Sequence, residues 1–240
     1  MEPKKVIIIG ASSGLGKELA LIYAAAGHRV AITGRRELLL KEICAAYPNH
    51  LVYRNFDVMK EDGAEHLQQL IEKLGGMDLL IYNAGYGEAS KTLDLLNDQT
   101  TVLTNVTGFV AIVNFAFNFF VKKGEGQVAI TSSVAALLGN SWAPAYSASK
   151  AFMSNYAEGL NIKAQRLKKN IVVTDLRPGF VNTRMAKEHK RFWSAEPAKA
   201  AHQMFKAIEK KKRVAYITKR WKWVALFLPF LPFGLRKRLV

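Results

Sequence analysis

Lys4-Lys5-Val6-Ile7-Ile8-Ile9-Gly10-Ala11-Ser12-Ser13-Gly14-Leu15-Gly16 is the stretch that decides the fold. Its short apolar run, far shorter than a signal peptide needs, reads as a buried strand. The glycines that follow permit a tight turn, and an amphipathic helix begins near Lys17. Glycines between a strand and a helix let the backbone approach a pyrophosphate closely, with its charge on the helix N-terminus. The spacing is GxxxGxG rather than GxGxxG. A plain turn joining strand to helix is the bland alternative, and the strand–loop–helix context favours dinucleotide binding over it.

Beyond this stretch, short apolar runs alternate with longer helix-like stretches, as in βαβ units and a parallel sheet. The patterning predicts strands over 6–9, 29–33, 51–55, 79–82, 127–132, 171–176 and 214–217. It predicts helices over 14–26, 38–46, 62–74, 99–122, 146–167 and 197–211. No internal repeat or linker interrupts them. The 240 residues suit one large α/β domain. With 50% apolar, 10% aromatic and 22% charged residues, disordered, collagenous and low-complexity classes are excluded. The net charge of +16 is concentrated: from Lys210 onward there are ten basic residues and no acid, and the first 209 residues carry 25 basic against 19 acidic side chains. That distribution gives no argument for nucleic-acid binding. Cys44 is the single cysteine, so an intrachain disulfide and a cysteine-based metal site are excluded and a reducing, cytoplasmic compartment fits.

The second predicted strand ends at Thr33-Gly34-Arg35-Arg36, where a site for NAD would offer an acid to the adenine ribose. Two guanidinium groups suit a 2′-phosphate instead, since Arg presents a planar fork to phosphate oxygens. The expected cofactor is therefore NADP(H), with a solvated loop as the alternative reading of both arginines. Glu37 is expected to sit as an exposed first-turn acid of the next helix.

Tyr146-Ser147-Ala148-Ser149-Lys150 places Tyr146 and Lys150 at i,i+4, on one helix face. A tyrosine is a poor acid–base group near neutrality until a neighbouring cation favours its phenolate, and Lys150 supplies that cation. Ser133 stands at the expected end of the fifth strand, where parallel sheets carry functional side chains.

With these residues, the sequence resembles the short-chain dehydrogenase/reductase family from Lys4 to about Arg191. The resemblance adds Asp57-Val58, Asn83-Ala84-Gly85, Asn105, Ser132-Ser133 and Pro178-Gly179 with Thr183. It implies an α/β, single Rossmann-type, doubly wound parallel sheet of about seven strands with helices on both faces. It also implies a catalytic tetrad of Asn105, Ser133, Tyr146 and Lys150. In that scheme Ser133 hydrogen-bonds the substrate oxygen and Tyr146 gives or takes the proton. Lys150 lowers the tyrosine pKa and binds the nicotinamide ribose, and Asn105 orders a water. Gly10, Ser12, Ser13, Gly14, Leu15 and Gly16 would hold the pyrophosphate, with Arg35 and Arg36 at the ribose. Asp57 and Val58 would contact adenine, Asn83, Ala84 and Gly85 would line the cofactor, and Pro178, Gly179, Val181 and Thr183 would hold the nicotinamide end. Tyr82 departs from the family pattern, where a second Asn often precedes Asn83, and leaves the local hydrogen bonding open.

The reading divides the chain into a catalytic domain over 1–218, with a substrate lid about 180–196, and a tail over 219–240. Met185, Phe192 and Trp193 in the lid suggest an apolar substrate or packing against the body. The tail carries eight large apolar residues between Val224 and Leu235, with tryptophans and cations at its flanks. Spanning a bilayer takes about 20 apolar residues, and this run is short and broken by Pro229 and Pro232. It suits either peripheral contact with the inner face of a membrane or packing on a second subunit or the cleft. The resemblance implies a homo-oligomer, dimer or tetramer. The expected function is an NADP(H)-dependent oxidoreductase interconverting a carbonyl and a secondary alcohol, reducing a lipophilic keto-lipid or steroid-like substrate. Alternatives are a soluble reductase of small ketones, sugars or xenobiotic carbonyls, and a non-catalytic cofactor-sensing scaffold.

Overall fold

The computed structural model describes residues 2–183, 193–230 and 232–236. Seven strands form: β1 (Lys5–Ile9), β2 (Arg29–Gly34), β3 (Leu51–Asn55), β4 (Leu79–Tyr82), β5 (Glu125–Thr131), β6 (Asn170–Pro178) and β7 (Val214–Ile217). They make one parallel sheet in the order β3-β2-β1-β4-β5-β6-β7. The helices are α1 (Gly14–Ala25), α2 (Glu37–Ala45), α3 (Gly63–Leu74), α4 (Leu95–Val102), α5 (Gly108–Lys123), α6 (Pro144–Arg166), α7 (Pro197–Glu209), α8 (Trp221–Phe227) and α9 (Phe233–Arg236).

Strand periodicity splits the apolar run of β1 between two cores. Val6 and Ile8 join Leu19 and Tyr23 of α1, Leu40 of α2 and Met204 of α7 on one face. Ile7 and Ile9 join Leu67 of α3, Phe109 and Ile112 of α5 and Met153 of α6 on the other. A parallel sheet covered on both faces explains why these strands read as unbroken apolar runs. Because β1 pairs with β2 on one side and β4 on the other, the winding reverses there, which opens a crevice at the carboxyl ends of the strands.

Three expectations are corrected in detail. The helix predicted over 99–122 starts at Leu95, where the Asp94 carboxylate accepts from the Leu96 and Asn97 amides at 3.0 and 3.2 Å. It is also interrupted: Leu103–Thr107 form a π turn between α4 and α5. A single widened turn shifts the apolar spacing too little for periodicity to reveal it. β5 stops at Thr131, because the Ser132 hydroxyl turns to the Asp175 carboxylate and the Leu176 carbonyl, and Ser133 caps the 3₁₀ turn Val134–Leu137. The tail, given no secondary structure in the reading, is helical from Trp221 to Phe230.

Candidate active site

The loop after β1 is held where only glycines fit. A Cβ on Gly10, whose φ is +83°, would lie 2.5 Å from the Ala84 backbone. One on Gly16 would lie 2.2 Å from the Gly10 carbonyl oxygen. The Asn83 amide closes the same corner, donating to that carbonyl at 2.9 Å while its Oδ1 accepts from the Thr131 hydroxyl at 3.1 Å. Ser13 precedes α1 without bonding its amides through the side chain, so the helix N-terminus points its N–H groups into the crevice. Leu15 packs on the core beneath. Thr183 returns to this corner from the opposite wall: its Cγ2 lies 3.3 Å from where a Gly14 Cβ would be.

Arg36 bridges the loop to the end of β2. Its Nη2 donates to the Ser12 and Ser13 hydroxyls, each at 2.7 Å, and its Nε donates to Ser12 at 3.2 Å. Each serine keeps its own proton to donate to an anion. Arg35 is more exposed and stands 3.9 Å from the Asp57 carboxylate, whose Oδ1 also accepts from the Met59 amide. The Val58 carbonyl reaches α5 because Gly108 has no side chain; a Cβ there would be 2.2 Å from its oxygen. Glu37 opens α2 as expected, accepting from the Tyr53 hydroxyl and pairing with Lys41, which together hold its carboxyl below the usual range.

Lys150 is 4% exposed. Its Nζ donates to the Thr131 carbonyl at 3.0 Å and sits 5.7 Å from the Tyr146 ring centroid. Burial pushes its ammonium down to about 8, and the Asp175 carboxylate opposes that effect. A Cβ on Gly85 would lie 3.3 Å from Lys150 Nζ and 3.5 Å from Asn105 Oδ1, so Gly85 marks where lysine and asparagine converge. Asn105 is fully buried in the π turn; its Nδ2 donates to the Tyr86 carbonyl and the Ser149 hydroxyl, and its Oδ1 accepts from the Tyr86 amide. The Ser133 hydroxyl faces the end of β6, donating to the Pro178 carbonyl at 3.3 Å and accepting from the Ala135 amide at 3.1 Å. Beyond Pro178, the Gly179 amide donates to the Ile217 carbonyl at 2.5 Å and Val181 bridges to Ala195. Of the expected lid, 184–192, including Met185 and Phe192, lie outside the described residues.

Gly87 and Asp175 escaped the sequence reading, and for Tyr82 the hydrogen bonding was left open. Gly87 packs against the Tyr146 ring, and a Cβ there would be 2.2 Å from Cδ2. Tyr82, the departure from the family pattern, donates its buried hydroxyl to the Thr104 carbonyl at 2.8 Å. Buried Asp175 accepts from Ser132 and pairs with Arg177 Nε at 2.6 Å, just behind Ser133. An acid in an apolar strand was the visible signal for Asp175, the departure from the family pattern was the signal for Tyr82, and Gly87 gave none beyond a loop glycine. A cleft of ≈ 140 Å³ adjoins Pro144 and is lined by Glu88, Ser90, Lys91, Asn97 and Trp142 among others.

The family model described as short chain dehydrogenase matches residues 4–192. An uncharacterized oxidoreductase of Mycobacterium tuberculosis is 30% identical over 233 residues, covering 93% of this chain and 91% of the relative. Two solved structures share the fold. ElxO with NADP bound is 20% identical at a TM-score of 0.80, covering 90% of this chain and 97% of the other. The 3-ketoacyl-(acyl-carrier-protein) reductase from Brucella melitensis complexed with NADH is 21% identical at a TM-score of 0.81, covering 89% and 95%.

Proposed function

Because this chain belongs to the short-chain dehydrogenase family, we propose that it is an NADP(H)-dependent oxidoreductase that interconverts a carbonyl and a secondary alcohol, reducing a lipophilic ketone. The observation that carries the chemistry is the buried Lys150 ammonium beside Tyr146 on one face of α6. The residues fit a dinucleotide, since Gly10 and Gly16 let the loop pack tightly on Ala84 and on itself, and α1 aims its N-terminal amides into the crevice. When bound, the nicotinamide supplies or accepts the hydride. The chain's own groups handle the proton and the charge. The Tyr146 hydroxyl gives its proton to the substrate oxygen, and the Lys150 cation stabilises the phenolate left behind. Ser133 turns its hydroxyl from the Pro178 carbonyl to the same oxygen and holds it against Tyr146. Asn105 ties Tyr86 to Ser149 and so holds the Gly85–Gly87 loop against α6.

The preference for NADP(H) is supported by Arg36, poised with the Ser12 and Ser13 hydroxyls where a 2′-phosphate would lie. Hydrogen bonds to charged groups contribute about 1.5–3 kcal/mol, so Arg36→Ser should weaken NADPH binding at least tenfold by calorimetry and leave NADH nearly unchanged. Equal losses for both cofactors would overturn the preference. A lipophilic substrate is supported by Phe180, Trp193 and Trp221 around Gly179. A small polar carbonyl is the second reading, favoured by the polar cleft beside Pro144. Following NADPH oxidation across graded ketones separates them: kcat/KM rising with chain length supports the first, and a preference for short hydroxylated ketones supports the second.

A further inference from the structure

α8 and the 3₁₀ turn after it, Leu228–Phe230, are apolar on opposite faces, and among the described residues only one of these faces packs on the body. Trp221, Ala225 and Leu228, at i, i+4 and i+7, face inward. The Trp221 indole lies over Gly179, with Nε1 1.9 Å from where a Cβ would be, and stands edge-on to Phe180 and Trp193 at 5.4 and 6.1 Å. α8 also packs on the 3₁₀ turn that follows Ser133, so the tail flanks the substrate side of the site. The outer face is Trp223, Leu226, Phe227 and Phe230, at i, i+3, i+4 and i+7, exposed by 65, 54, 63 and 82%, and Phe233 follows at 82%. Lys219, Arg220 and Lys222 precede this face and Arg236, Lys237 and Arg238 follow it, with no acid anywhere in 219–240.

We propose that the outer face of α8 and the turns after it docks on an anionic lipid bilayer, lying in the interface with the mouth of the active site against the lipid, so that an apolar ketone reaches Tyr146 from the membrane. A helix with two opposite apolar faces needs a second apolar neighbour, and the flanking cations specify its charge. A second copy of the chain fits poorly, because an isologous contact would bring Lys219, Arg220 and Lys222 of one copy towards those of the other, with no acid in 219–240 to offset them. The docking rests on the tail alone; the route of the substrate deepens the lipophilic-ketone reading above.

The test uses the full chain with sedimenting vesicles of phosphatidylcholine, with and without phosphatidylglycerol. Binding to the anionic vesicles should exceed binding to the neutral ones by about tenfold or more and weaken as salt is raised. Phe230→Asp with Phe233→Asp, at two exposed positions, should weaken partition roughly a hundredfold, with thermal stability and reduction of a water-soluble ketone unchanged. Turnover of a long-chain ketone carried in the vesicles should fall with the lost binding. A full chain that stays in the supernatant, or a double variant that sediments like the parent, overturns the docking. So does a parent whose mass halves on introducing the double change without any vesicle binding, which would assign the face to self-association. Docking that holds while vesicle-borne ketone is reduced equally by both proteins overturns the route but leaves the carbonyl chemistry standing, because docking is read without turnover.

Discussion

A methyl group at position 87 would sit 2.2 Å from Cδ2 of Tyr146, far inside van der Waals contact. Gly87→Ala must therefore push the tyrosine ring aside, and misplacing a reacting group by about 1 Å costs on the order of a hundredfold in rate. The variant should lose turnover with NADPH affinity unchanged, as measured by steady-state kinetics beside calorimetry. Tyr146→Phe removes only the proton-carrying hydroxyl and should show the same split more severely. Near-normal kcat in it would remove Tyr146 from its assigned role. Lys150 gives a stability signature as well. Burial lowers its folded pKa to about 8, whereas the unfolded value is about 10.4. Below pH 8 both states are protonated and the fold bears the full cost of a buried cation. As pH rises from about 8 to 10.4 the unfolded chain holds more protons, so the lysine's contribution to stability rises, by roughly 3 kcal/mol in all. Denaturant titrations of the parent and Lys150→Met should diverge over that window, with the parent gaining on the variant; parallel curves would show that the lysine is not buried as a cation.

At the scale of elements, the π turn between α4 and α5 organises the loop that faces α6. Tyr82 at the end of β4 fixes the Thr104 carbonyl, and the next residue, Asn105, clamps both backbone groups of Tyr86 and reaches Ser149. Tyr82→Phe keeps the ring on Phe109 but removes this buried hydrogen bond, a loss of about 0.5–1.5 kcal/mol. Stability should fall by that amount, and kcat should fall with KM for NADPH unchanged if the turn positions the site; a loss of stability with normal kcat would confine the tyrosine to packing. This element also marks what the sequence could express. The glycine loop and the Tyr146–Lys150 pair were legible because their geometry is local, set by one turn or one helical repeat. The central strands were legible because burial on both faces leaves continuous apolar runs, whereas the edge strands β3 and β7 are only part-buried. Gly87 against Tyr146, Tyr82 against Thr104 and Trp221 against Gly179 were not, because each joins distant segments whose register only the assembled sheet fixes. Ser133 was found by type and order, yet its hold on the Pro178 carbonyl depends on β5 and β6 ending side by side.

The whole molecule carries a second exposed apolar face with a different charge. Val102 of α4, Leu103 of the π turn, and Phe152 and Ile162 of α6 are all partly exposed, on elements that pack together. Glu158, Lys163 and Arg166 are exposed on the same α6, so the helices of this face carry both signs. A patch of mixed charge can meet its own copy without the repulsion that opposes pairing of the tail, and a two-fold contact is the commonest way such a face is covered. We therefore expect the chain to form a homodimer through α4 to α6 while α8 stays free for lipid. Burying a carboxylate in an apolar interface carries a heavy desolvation cost, so Phe152→Asp should shift the protein to monomer in sedimentation equilibrium. Because Phe152 packs edge-on to Phe109 beneath the π turn, the monomer should also lose thermal stability. Vesicle binding per chain should weaken, since two docked tails per particle bind with avidity that one lacks. A Phe152→Asp protein that remains dimeric would place the subunit contact elsewhere, and an unchanged vesicle affinity in a true monomer would mean that the two tails of a dimer do not engage one bilayer together.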